Sequence, residues 1–328
     1  MPPSPATSGS SPTNARLAAA QRIAAGYAAD PAVAAVLCGG STGRGHADRW
    51  SDLELGVFWT APPAPAQRGQ VVTGLAGQDL RQFGYDPDER AWFDEWWYAG
   101  RAGSGLLVEV VHVTTADAHA LLDALLGVTD PGTTDPGTTG PRGTGPRGTG
   151  SGGTGSGGTD PGSPDPRPYL LSFAAALAYG QALHGSVTPW ASRVAEYPRP
   201  LAAAAVRRHG QLDHFWRWQM YADRGDPHGL RTHFAAVSTA LAHIMCALNG
   251  RWWPGPKWPG WTLAGLAICP PRLRERLSEA DALAPAAAAA LLAGLVEDAY
   301  DLVDEHLPEA GADRLRTVFR FTRAPWPP

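Results

Sequence analysis

Residues 36–58, VLCGGSTGRGHADRWSDLELGVF, restrict the fold more than any other stretch of the chain. A short apolar run ends in Gly39-Gly40-Ser41, a polar stretch follows, and a second apolar run opens at Asp52-Leu53-Glu54. Residues two apart on a strand share a face. Asp52 and Glu54 therefore project side by side, with Leu53 and Leu55 turned the other way. Each carboxylate raises the cost of ionising the other. A divalent cation removes that cost, and hard oxygen ligands suit Mg²⁺. A lone D-x-E also occurs on solvated edge strands; the glycine turn upstream is what favours the metal.

The rest of the composition narrows the classes. A net charge of −4 gives no reason to expect a general nucleic-acid or anionic-membrane binder. Cys38, Cys246 and Cys269 are odd in number, far apart and in apolar contexts, which argues against a disulfide framework or a zinc site and suits a reducing cytoplasm. The first residues, MPPSPATSGSSPTN, lack the apolar core of a secretion signal, and no run of 18 apolar residues follows. The expectation is a cytoplasmic protein with no membrane segment.

Residues 1–14 read as a disordered Pro/Ser/Thr tail. Asn14 is a candidate cap for an alanine-rich helix that stops before Pro31. Strands are expected at 34–38, 53–59 and 106–113. Helices are expected at 41–47, within 71–84 and at 115–126, with an aromatic cluster near 90–100 read as packing. The composition then breaks: residues 131–165 divide into seven pentads from PGTTD to PGSPD. So little apolar surface cannot support a core, so 128–167 reads as a flexible linker. Beyond it the pattern is helical, with long candidates at 170–183, 201–224, 230–248 and 285–305, shorter ones at 273–280 and 313–319, and no strand. The fold class expected is α+β, a small mixed-sheet domain at 15–127 followed by an all-α helical bundle at 168–328.

Familiar phosphate and nucleophile motifs fail. The Gly-Lys pair of a Walker A loop is missing after Gly39, and the third glycine of G-x-G-x-x-G is replaced by Asp48. Gly39-Gly40-Ser41-Thr42-Gly43 fits the G-x-S-x-G elbow of serine hydrolases, but the larger parallel sheet that such a fold requires has no strands to build it after residue 127. What remains is a glycine turn beside paired acids. Glycines let a backbone approach a triphosphate closely, and Ser41 offers a hydroxyl and an N–H at a helix start. Paired carboxylates hold the Mg²⁺ ions that bridge such phosphates, and a site of this kind takes a third acid. Glu109 stands inside an apolar strand, on the face of Val111 and Val113, a costly place for an unpaired carboxylate; the alternative is an edge position facing solvent.

These residues resemble the active-site motif of the DNA polymerase β-like nucleotidyltransferase superfamily: an apolar strand, Gly-Gly-Ser, a spacer near ten, then Asp-hydrophobic-[Asp/Glu]-hydrophobic. With Thr42-Gly43-Arg44-Gly45 and Ser51-Asp52, the stretch is similar to bacterial small-molecule nucleotidyltransferases of the aminoglycoside and lincosamide type. Tyr197-Pro198 ahead of a helix, and Leu248-Asn249 leading to Pro256-Lys257-Trp258, resemble the helical C-terminal domain of members of that group. The resemblance implies that Gly39, Gly40 and Ser41 contact nucleotide phosphates, that Asp52 and Glu54 hold Mg²⁺, and that Glu109 is the third metal-binding and catalytic acid. Glu54 departs from relatives that carry Asp there, which bears on metal spacing. Arg44 and Lys257 are candidates to meet a triphosphate, with an ordinary exposed side chain as the alternative for each. His209 and Asp213, four apart, read as a polar pair or a solvated helix face.

The function expected is Mg²⁺-dependent transfer of a nucleoside monophosphate from an NTP, ATP by preference, to a hydroxyl of a small-molecule acceptor, with pyrophosphate released. The acceptor is expected between the two domains. Two alternatives stand beside it: a protein-modifying, antitoxin-like transferase, and a non-catalytic nucleotide-binding relative. No nucleic-acid partner is expected, and neither oligomeric state nor acceptor identity follows from the sequence.

Overall fold

A computed structural model describes residues 11–128, 163–257 and 259–323. Most of the pentad stretch, residues 129–162, and positions 1–10 of the tail lie outside the described residues. The first helix, α1 (Pro12–Tyr27), begins earlier than the sequence suggests. Its cap is Ser11, whose side chain accepts from the Asn14 N–H, and Pro12 sits in the first turn, where φ is already set and no N–H is missed. Residues 12–14 are thus helical, a correction to the disordered tail expected there.

The sheet has six strands: β1 (Val33–Cys38), β2 (Leu53–Trp59), β3 (Gln78–Gln82), β4 (Trp92–Tyr98), β5 (Leu106–Thr114) and β6 (Gln181–Gly185), in the order β3-β4-β5-β2-β1-β6. β2 and β5 run parallel and every other pair is antiparallel. Between them lie α2 (Gly40–Gly43), α3 (Pro65–Gly74) and α4 (Thr115–Leu126). The helix expected within 71–84 is displaced: α3 ends at Gly74, and β3 follows. A side chain at Gly77 would meet Trp96 and Val72 at 2.6 Å, so the turn needs glycine. The aromatic stretch is strand β4, with Trp96 fully buried.

The two faces of the sheet serve different halves of the molecule. Val36, Leu53, Leu55, Val57 and Val108 pack against Ile23 and Tyr27 of α1 and Val71 and Val72 of α3. Beneath that layer Arg68 and Asp94, both buried, pair at 2.6 Å, and His112 joins them through Asp94 Oδ2 at 3.1 Å. The opposite face, with Ala35, Leu37, Phe58 and Val113, shares one core with the helices that follow residue 163.

Those helices are α5 (Pro168–Tyr179), α6 (Thr188–Ala191), α7 (Arg199–His209), α8 (Phe215–Asp223), α9 (Pro227–Leu248), α10 (Pro259–Thr262), α11 (Leu273–Ala282), α12 (Pro285–His306) and α13 (Ala312–Arg320). A small mixed sheet with a helical C-terminal region is the architecture expected. Two details correct the sequence reading. The run 170–183 is not one helix, because α5 stops at Gly180 and β6 pairs with β1, with Leu37 opposite Ala182. A strand therefore does occur after residue 127. The run 201–224 is broken between α7 and α8, where Tyr300 Oη donates to the Gly210 carbonyl at 2.7 Å. The break separates His209 from Asp213: His209 stacks on His243 at 3.7 Å, and Asp213 pairs with Arg217 at 3.3 Å.

Candidate active site

Register brings the acids together. Glu54 of β2 lies opposite Glu109 of β5, and Glu109 lies opposite Glu95 of β4, so three carboxylates form a row across one face. Asp52 precedes Glu54 by two and shares the face. One oxygen from each of Asp52, Glu54 and Glu109 falls within 4.8 Å of the others. Burial, and then the Asp52 charge, push the carboxyls of Glu54 and Glu109 above the usual carboxylate range. Three hard oxygen donors this close together fit a divalent cation, whose charge offsets the repulsion between neighbouring carboxylates.

The glycine turn is fitted to these acids. The Gly39 N–H donates to the Glu54 carbonyl at 3.0 Å, tying the end of β1 to the start of β2. Gly40 has φ +57°, a left-handed backbone that favours glycine, and a Cβ there would lie 2.6 Å from Glu54 Cδ and push that carboxylate aside. Ser41 and Thr42 follow in α2, both buried. The spacer is held from behind by α1: Arg16 Nε donates to the Ser51 carbonyl at 2.8 Å, and Asp48 accepts from the Trp50 N–H at 2.8 Å.

The helical half supplies the cations' surroundings. After α9, Asn249 donates to the Met245 and Ile268 carbonyls at 2.8 and 2.7 Å and accepts from the Ile268 N–H at 2.9 Å, closing the excursion 249–268 at its base. From that excursion Lys257 Nζ donates to Asp52 Oδ2 at 2.9 Å and approaches Glu54 at 3.9 Å. Burial acts to lower the Lys257 ammonium, but the hydrogen bond and charge of Asp52, with Glu54 and Glu109 behind, carry it above its ordinary value. Trp261 of α10 stacks on His46 at 5.1 Å and carries the Arg44 guanidinium over its ring at 5.3 Å. Burial pulls Arg44 down against the Glu54 charge. Its Nε is buried and finds no hydrogen-bond partner among the described residues.

Gly39, Gly40, Ser41, Arg44, Asp52, Glu54, Glu109 and Lys257 thus surround one place, although up to 218 residues separate them in sequence (Gly39 to Lys257). Two cavities meet there. A polar one of about 290 Å³ is bounded by Ser41, Arg44, Asp48, Trp50, Asp52 and Lys257. A second of about 350 Å³ runs under the carboxylate row, between the sheet and α5. Glu54 and Arg44 line both. Trp50 and Glu95 are additions to the residues picked from sequence. Trp50 is 80% exposed beside the polar cavity, an unusual position for a tryptophan. Glu95 shows itself in sequence only as a charge inside WFDEWWY, where alternation puts it on the same face as Phe93. Trp96, Trp218, Trp252 and Trp253 are buried in the core, and Trp258 lies outside the described residues.

No family model matches the sequence, and no curated protein matches it. Among solved structures the chain is similar to a nucleotidyltransferase-like protein from Exiguobacterium sibiricum 255-15. The two share 12% identity and a TM-score of 0.35, over 91% of this chain and 80% of that one. That likeness is distant, and what the site can do rests on this chain's own residues.

Proposed function

We propose that the chain is a Mg²⁺-dependent nucleotidyltransferase that moves a nucleoside monophosphate from an NTP, ATP by preference, to a hydroxyl of a small-molecule acceptor. The observation that carries this reading is the meeting of Asp52, Glu54 and Glu109 within 4.8 Å, directly against the Gly39-Gly40-Ser41 turn. Asp52, Glu54 and Glu109 would hold the ion, which supplies charge neutralisation for the triphosphate and for the leaving pyrophosphate.

The polypeptide does the rest. Backbone N–H groups at Gly40 and Ser41 receive the β and γ phosphates, and the unpaired Arg44 Nε and the Lys257 ammonium meet their charge. The acceptor oxygen forms a bond to the α-phosphorus, the bond from that phosphorus to the β-bridging oxygen breaks, and pyrophosphate leaves. Glu109 takes the hydroxyl proton, since its carboxylate opens onto the cavity beside the row, where an acceptor hydroxyl can reach it. β5, β2 and β1 lie in that order in the sheet. Glu109, the Asp52 and Glu54 pair and the glycine turn therefore follow one another across the sheet, the order in which a base, a metal-held phosphate and a leaving group would be needed.

The test is pyrophosphate release from each NTP with Mg²⁺ over a panel of hydroxyl acceptors. Asp52→Asn removes one anionic ligand without changing size and is expected to lower turnover by about a thousandfold or more, as loss of a key electrostatic group does. Its circular dichroism and melting should stay close to those of the wild type. Transfer at the wild-type rate in this variant rules the mechanism out.

A further inference from the structure

The cavity under the carboxylate row differs in kind from its polar neighbour. Its floor is Gly56 and Phe58 of β2 with Val111 and Val113 of β5, and its roof is Phe173 and Ala176 of α5. The charged side chains that reach it belong to the acid row and Arg44. Glu95 is already paired with Arg81. Asp94, although a neighbour in sequence, turns its carboxylate to the opposite face and is paired with Arg68. Phe58 is itself fixed from below by stacking on Trp190 at 4.4 Å. Beyond the row itself, no carboxylate among the described residues faces the slot to receive several ammonium groups, and burying unpaired charge there is costly. Glu109 opens onto it, whereas Ser41, Asp52 and Lys257 line the polar cavity and not this one.

We infer that the acceptor is an uncharged alcohol whose apolar, ring-sized body fills this slot and whose hydroxyl meets Glu109. This rests on the transfer reading above and names its substrate class. A polycationic sugar fits the site poorly by the same chemistry. The size agrees: about 350 Å³ is the small end of ligand pockets, room for a ring and a short chain.

Binding of a series from 2-phenylethanol to 4-phenylbutan-1-ol is measured by calorimetry, with Mg²⁺ and a non-hydrolysable ATP analogue present, beside kanamycin as the polycationic comparison. Affinity should rise about fourfold per added methylene, the ratio expected for burying one CH₂, and kanamycin should bind more weakly. A Cβ at Gly56 would meet Phe58 at 3.6 Å and Leu37 at 3.9 Å, ordinary contacts, so Gly56→Val fits the strand and projects into the slot. It should weaken the alcohols at least tenfold and change the affinity for the ATP analogue less than twofold. Ser172→Leu, from the roof, should do the same and guards against misfolding of the first variant. Tighter binding of kanamycin, no binding of any alcohol, or alcohol binding untouched by both variants overturns the inference. Loss of nucleotide affinity in the plugged variants also overturns it, because the slot would then hold the base. If no NTP binds in the presence of Mg²⁺, the transfer reading fails instead, and alcohol binding still reports on the slot by itself.

Discussion

Lys257 holds the position between Asp52 and Glu54 that a cation bound by these acids would approach, so under the proposed function it would compete with a divalent ion. Its side chain is 63% exposed, which makes the ion pair weak and exchangeable. Lys257→Met should tighten Mn²⁺ binding in the absence of nucleotide by about three- to fivefold, the worth of one exposed ion pair. It should weaken binding of Mg·ATP by about tenfold, through loss of one charge-assisted contact. Paramagnetic titration and calorimetry read the two effects, and an unchanged Mn²⁺ affinity would leave Lys257 as a surface residue only. At this scale the sequence was informative about Asp52, Glu54 and the glycines, because alternation and turn chemistry are local. It was silent on Arg16, whose partner Ser51 is 35 positions away, and could offer Trp261 only as one of several tryptophans, because its partner His46 lies more than 200 positions away.

Among the elements, β6 shows why local pattern misleads. Ala and Leu continue the helical composition through 170–183, and nothing in QALHG favours a strand. The helix ends at Gly180, whose backbone turns extended, and a side chain there would lie 2.4 Å from the Ala176 carbonyl oxygen and 2.7 Å from that of Cys38. Past that point the open edge of β1 offers unpaired backbone groups, and pairing with them outweighs weak propensity. Gly180→Ala should therefore destabilise the protein by about 2 to 3 kcal/mol, the range for steric conflict with backbone. Urea unfolding measures this, and hydrogen exchange should show residues 181–185 losing protection first. A cost under about 0.5 kcal/mol would mean that the turn relaxes freely. β2 and β5, by contrast, were legible almost to the residue, since β-branched and apolar runs bounded by polar turns have few other outcomes.

Over the whole molecule, one core joins the helices to the acid-bearing face of the sheet, and it contains histidines that the fold keeps neutral. Burial, then the charge of His209, drives His243 down to about 3, and burial lowers His209 as well. An unfolded histidine titrates near 6.5, so below that pH the unfolded chain binds protons that the folded chain refuses. Stability from this source is complete above about pH 6.5 and is lost as pH falls toward 3. Replacing the ring by His243→Phe should reduce the slope of unfolding free energy between pH 6 and 4 by about 1.4 kcal/mol per pH unit, one proton's worth. Urea titrations at several pH values test it, and an equal slope in both proteins would contradict it. The sequence by itself determined the strand–turn–strand unit, the pairing of Asp52 with Glu54 on one face, the helical character of the second half and the break in composition between the halves. All of these follow from periodicity and steric rules acting over a few residues. Only the tertiary structure decided that Glu109 lies in register with Glu54, that β6 returns to the sheet, that Lys257 reaches the acids and that α5 roofs an apolar slot. Those outcomes depend on which distant surfaces exclude water together, and burial of apolar area has no preferred spacing along the chain.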